Sequence, residues 1–115
     1  MKHEVEAAHV ATGDDYDTFR FRPDLEIFKG HFPNHALVPG IYLIEAARIT
    51  AERRLGHPVR VTAIDNARFT AEVLPDVDVL CSVRLTEGED CWVCDARLQA
   101  AADPAARIRL TLTAR

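Results

Sequence analysis

No apolar run in this 115-residue chain approaches the roughly 18 residues that a membrane-crossing helix needs. Residues 1–11 carry scattered charges and lack the apolar core of a signal peptide, so the sequence reads as soluble and cytoplasmic. Lysine is scarce, and the formal net charge of -4 argues against nucleic acid as the main partner. Cysteine is limited to Cys81, Cys91 and Cys94, an odd set that fits reduced thiols rather than a disulfide framework. Cys91 and Cys94 form a C-x-x-C, but no second ligand pair has zinc spacing, so no metal is expected. A three-residue offset within a strand also points the two thiols to opposite faces, which favours a structural role.

Repeats, linkers and low-complexity tracts are absent too, so residues 1–115 are expected to form one domain. A chain this short buries only about two-thirds of its unfolded surface. Pairing with a second copy would help it.

The second half is dominated by strict alternation. From Val59 to Val73 the odd positions are mostly apolar (Val61, Ala63, Ala67, Phe69 and Ala71 among them, with Asp65 the exception), which predicts one long strand with a single apolar face. The pattern continues through Val77–Leu85, Trp92–Leu98 and Ile108–Leu112, predicting an antiparallel meander of four consecutive strands. In the first half, Val5–Ala11 and the Phe19/Phe21 segment alternate more weakly and are taken as two further strands.

The segment after Pro39 has no two-residue period. Ile41, Tyr42, Leu43, Ile44, Ala46, Ala47, Ile49 and Ala51 predict a helix of about 15 residues, ending before Gly56. Its first two turns are apolar on every side and so should be buried, while Arg48, Glu52, Arg53 and Arg54 put the far end in solvent. The expected architecture is α+β, an antiparallel sheet of about six strands wrapped around one central helix.

Glu45 stands out inside the apolar half of that helix. A buried carboxyl either stays protonated, which makes it a proton donor, or pairs with a neighbour such as Arg48 one turn along. Upstream, Gly30-His31-Phe32-Pro33 and Val38-Pro39-Gly40 hold the backbone tightly with two prolines and two glycines. The helix N-terminus at Gly40 presents free N–H groups that would stabilise an enolate oxygen. One short stretch therefore offers a base (His31), an oxyanion site (Gly40) and an acid (Glu45).

Gly30-His31-Phe32-Pro33, Val38-Pro39-Gly40-Ile41 and Glu45-Ala46 resemble the signature of the 3-hydroxyacyl-[acyl-carrier-protein] dehydratases. Ile64 to Phe69 and Leu74 to Asp78 resemble that family's central strand and following turn, so the likeness runs roughly from Phe21 to Leu85. The resemblance implies a hot-dog fold and a hydro-lyase of fatty-acid or polyketide/polyene-like biosynthesis. It implies no metal or organic cofactor, and a homodimer in which His31 of one subunit meets Glu45 of the other. It also implies a cis peptide before Pro33 and an acyl tunnel for a carrier-protein or coenzyme A thioester. Phe32, Pro33, Ile41, Ile44 and Phe69 are its candidate lining.

The sequence departs from the family at Ala36-Leu37 (usually Pro-Val), at Ile49 (usually Gln) and at Arg48 (usually small). A guanidinium reaching Glu45 would weaken it as a proton donor. Lys29, Arg53, Arg54, Arg60 and Arg68 are candidates for a basic patch facing an acidic carrier protein. Two other readings stand beside dehydration. One is a hot-dog acyl thioesterase, although such enzymes commonly lack the His-Phe-Pro block. The other is a non-catalytic acyl-binding subunit.

Overall fold

The computed structural model describes residues 2–29 and 37–115. A short helix α1 (Lys2–Ala8) leads into β1 (His9–Ala11) and β2 (Asp17–Arg20). The long helix α2 (Gly40–Leu55) follows, then β3 (Val59–Phe69), β4 (Asp78–Glu87), β5 (Trp92–Ala100) and β6 (Asp103–Ala114). All six strands form one antiparallel sheet in the order β1-β2-β4-β5-β6-β3. Helix α2 packs on its inner face, with α1 against α2. The α+β expectation is met.

Helix α2 matches its predicted span. Pro39 precedes it in an extended conformation, and Gly56 closes it at φ 80°, donating its N–H to the Glu52 carbonyl at 2.9 Å. Its burial differs from expectation at both ends. Ile41, in the first turn, is 48% exposed, whereas Arg48, assigned to the solvent end, is buried.

Two strand assignments need correction. Residues 5–8 are helical, because Val5 and Ala8, three apart, lie on one helical face and are both fully or nearly buried. Only His9–Ala11 is strand. The predicted four-strand meander is also broken. Strands β4, β5 and β6 are consecutive neighbours, but β3 lies at the far edge against β6.

Residues 70–77 make the crossing from β3 to β4, held by backbone bonds along the way. Thr70 N–H donates to the Ala105 carbonyl (2.8 Å), Val38 N–H to the Val73 carbonyl (2.8 Å), and Asp76 N–H to the Phe21 carbonyl (2.8 Å). The crossing segment therefore passes the strand-to-helix entry at Val38. This is why the strand predicted to reach Val73 ends at Phe69.

The single apolar face predicted for β3 is interrupted by two bulges. Val61 pairs with Leu112 and Ala63 with Thr111, so one residue of β3 is extra; the same happens between Ile64 and Asn66. The residues opposite the buried Leu112, Leu110, Ile108 and Ala106 are Val61, Ile64, Ala67 and Phe69. Each bulge moves the inward phase by one residue, placing Ala63 opposite Thr111 and leaving Asp65 exposed.

Candidate functional site

The N-terminus of α2 is built by close backbone approach. A methyl group on Gly40 would sit 2.7 Å from the Phe69 ring, so the ring packs directly on the first helical residue and would have to shift to admit any larger side chain there. Phe69 is otherwise 45% exposed and Ile41 48%, so both present apolar surface beside the helix entry. Ile44 points the other way, into the core, at 9% exposure. The remaining site residues of the sequence reading, His31, Phe32 and Pro33, lie outside the described residues, as does the cis peptide expected before Pro33.

Glu45 lies one and a half turns into α2, with its side chain 12% exposed. Of its two readings, the structure shows the Arg48 pair. Arg48 Nε donates to both carboxylate oxygens at 2.9 and 3.0 Å, and Arg48 Nη2 donates to Oε1. The same guanidinium reaches further through Nη1, to Glu52 Oε1 at 2.8 Å and to the Val59 carbonyl at 3.2 Å. Glu52 Oε1 also accepts the Val59 N–H at 2.9 Å, so the network ties the helix to the start of β3. These bonds, above all those to Glu45, hold the Arg48 guanidinium above its ordinary pKa against the opposing effect of burial.

A second charged cluster lies near the C-terminal end of α2, and the sequence reading missed it. Asp17 is fully buried. Arg53 Nε donates to both of its oxygens at 2.9 and 2.8 Å, Arg53 Nη2 donates to Oδ1, and His9 Nε2 is 2.9 Å from Oδ2. His9 stacks on Phe19 with ring centroids 4.8 Å apart. Asp17, Phe19 and Phe21 share one phase of a two-residue period, and that parity is the signal that would have placed Asp17 inside.

These contacts thin the expected basic patch. Arg53 is held on Asp17, Lys29 pairs with Glu26 at 3.2 Å, and Arg54 lies 3.5 Å from the Gly13 carbonyl. Arg60 and Arg68 remain exposed.

Cys94 is in the core, Cys91 is half-buried just outside β5, and both are free thiols. Burial pushes the Cys94 and Cys81 thiols up to about 12, which keeps them protonated and unreactive near neutrality.

A protein-family model described as ApeI-like, ApeI dehydratase, matches residues 12–104. The 3-hydroxyacyl-[acyl-carrier-protein] dehydratase FabZ of Macrococcus caseolyticus is 35% identical over 66 residues, covering 51% of this chain and 46% of that protein. FabZ of Bacillus thuringiensis is 34% identical over 68 residues, covering 53% and 47%. The chain thus spans about half the length of these curated relatives.

Among solved structures, the dehydratase heterocomplex ApeI:P of Xenorhabdus doucetiae superposes with a TM-score of 0.73 at 22% identity, over 87% of this chain and 86% of that one. The protein PH1136 of Pyrococcus horikoshii gives 0.68 at 13% identity, over 93% and 84%. The fold is the hot-dog fold that the resemblance implied. Because the family match covers most of the sequence, including the positions of His31, Gly40 and Glu45, the chain belongs to the ApeI-like dehydratase family.

Proposed function

We propose that this protein is a hydro-lyase that removes water from a 3-hydroxyacyl thioester, giving a trans-2-enoyl thioester. The observation that carries this reading is the family match across residues 12–104, which contains the His31/Glu45 pair and the glycine-opened helix. The thioester carbonyl docks at the Gly40 amide. His31 takes the α-proton, the carbon–oxygen bond at the β-position breaks, and Glu45 gives its proton to the departing hydroxyl. The proton collected by His31 later returns to Glu45 through solvent.

Arg48 bears on this step. Glu45 Oε2 accepts a single hydrogen bond from Arg48, from Nε at 3.0 Å, so that oxygen has room for a proton while Arg48 stays on Oε1. Arg48 keeps Glu52 and the Val59 carbonyl as partners in that state, so protonating Glu45 does not strand a buried cation. The substrate in this reading is a polyketide- or polyene-like acyl chain presented in the cytoplasm by an acyl-carrier protein or coenzyme A. The exposed Arg60 and Arg68 favour an acidic carrier.

The deciding assay mixes the protein with 3-hydroxyacyl thioesters of several chain lengths on both carriers and follows enoyl-thioester absorbance and free thiol. Enoyl product without thiol release is the expected result. Thiol release without enoyl product would make the protein a thioesterase. Silence in both channels would favour an acyl-binding subunit.

The site is completed by a second copy in this reading. Strand β3 is an edge of 11 residues in the described sheet, and its inward side leaves Ile64 50% and Phe69 45% exposed. A long free edge with apolar flanking surface is a template for strand pairing. Sedimentation velocity should show a dimer for the unmodified chain and a monomer for Ile64→Arg. A monomeric unmodified chain would instead point to a different partner chain on this edge.

A further inference from the structure

The outer face of the sheet, away from α2, carries two rows of charge that differ in one respect. In the first row Asp95 sits between Arg84 and Arg109 on neighbouring strands, and it accepts from Arg109 Nε at 2.7 Å with Arg84 Nη2 at 3.9 Å. The row one pleat along reads Ser82, Arg97, Arg107, Arg68 across β4, β5, β6 and β3. Three arginines are thus directly opposite one another on adjacent strands. Among the described residues no carboxylate pairs with any of them. Like charges directly opposite destabilise a sheet, with side-chain origins about 5 Å apart. A groove of about 630 Å³ runs over these rows, lined by Arg97, Arg107, Ser82 and the Arg84–Asp95–Arg109 row.

We propose that this groove binds a small anion carrying two phosphoryl groups, seated between Arg97 and Arg107. Two adjacent guanidinium forks match the oxygens of a phosphoryl group in a bidentate way. The Ser82 hydroxyl, opposite Arg97, adds a neutral donor. Asp95 and Asp65 line the same groove and repel a long polyanion, so the ligand is a discrete molecule and not a nucleic-acid strand. A cavity of this size suits a ligand up to a mononucleotide. The anion relieves the repulsion within the row, so binding should stabilise the fold.

The test uses the full chain with inorganic pyrophosphate and, separately, adenosine 3′,5′-bisphosphate, each against sodium chloride at matched ionic strength. The expected result is a saturable rise in Tm of about 4 °C or more with at least one probe. Affinity by calorimetry should fall tenfold or more in Arg107→Gln and Arg97→Gln, and hold in Arg60→Gln, which removes an exposed charge outside the groove. These variants remove repulsion, so each should fold. Equal affinity for the two probes assigns the site to free phosphate groups, and tighter binding of the bisphosphate assigns it to a nucleotide. A shift reproduced by sodium chloride, equal losses in Arg60→Gln and Arg107→Gln, or no shift with either probe would overturn the proposal.

Discussion

Arg53→Met should lower the stability of the fold by about 3–5 kcal/mol, because it leaves a buried carboxylate without its cation. Asp17 has no solvent exposure, and among the described residues Arg53 supplies three of the four side-chain hydrogen bonds to its oxygens. Methionine preserves much of the side-chain volume, so the loss reports charge and hydrogen bonding more than packing. In a domain of this size the deficit corresponds to a Tm about 10–20 °C lower, read by circular dichroism and checked by urea titration. Arg53→Lys keeps the charge but not the fork and should recover less than half of the loss. A melting point within 3 °C of the unmodified protein for Arg53→Met would mean that Asp17 finds other support.

That cluster also marks the boundary between what the residues announce and what only packing decides. The helix was legible because Gly40 to Leu55 combines an unbroken apolar composition with Pro39 and Gly56 as stops. Strands β4, β5 and β6 were legible because β4 and β5 pair without interruption and the one irregularity between β5 and β6, at Leu98/Gln99, falls near the strand ends, outside the alternating stretch of Ile108 to Leu112. Strand β3 misled because a bulge inserts a residue without any change in composition; Ala63 and Asp65 keep an alternating pattern on paper that the two insertions cancel in space. Residues 5–8 misled because Val5 and Ala8 gain burial against α2 only in a helical spacing, a tertiary contact no local rule contains.

The position of β3 beside β6 follows from the crossing at residues 70–77. Pro75 and Asp76 announce a turn there, but not where the chain goes afterwards. Glu45 was legible as an anomaly and its link to Arg48 as one of two outcomes. The Arg48–Glu52 pair is an i,i+4 contact that helical spacing allows, but the extension to the Val59 backbone was not legible, since it needs the helix and β3 to meet.

His31→Ala and Glu45→Gln should each reduce dehydration by about 10²–10⁴-fold in kcat/KM, the range that a positioned proton-transfer group supplies. Glutamine is isosteric with the carboxyl and its carbonyl still accepts from Arg48, which also keeps Glu52 and the Val59 carbonyl. The fold is therefore retained while the transferable proton is lost. Asp at the same position keeps the acid but withdraws it by one methylene from its place on α2, so Glu45→Asp should fall between wild type and Glu45→Gln. If His31 and Glu45 act on one substrate in a single catalytic unit, the double variant should be little worse than the more damaged single one. A product of the two losses would instead indicate separable roles. In a dimer whose sites combine His31 of one subunit with Glu45 of the other, mixing the two inactive single variants should restore up to about a quarter of wild-type turnover, because random pairing makes half of the dimers mixed and each mixed dimer carries one intact site. No recovery after demonstrated subunit exchange would place both residues in the same subunit, and a His31→Ala protein that retains half of the wild-type rate would remove His31 from the chemistry.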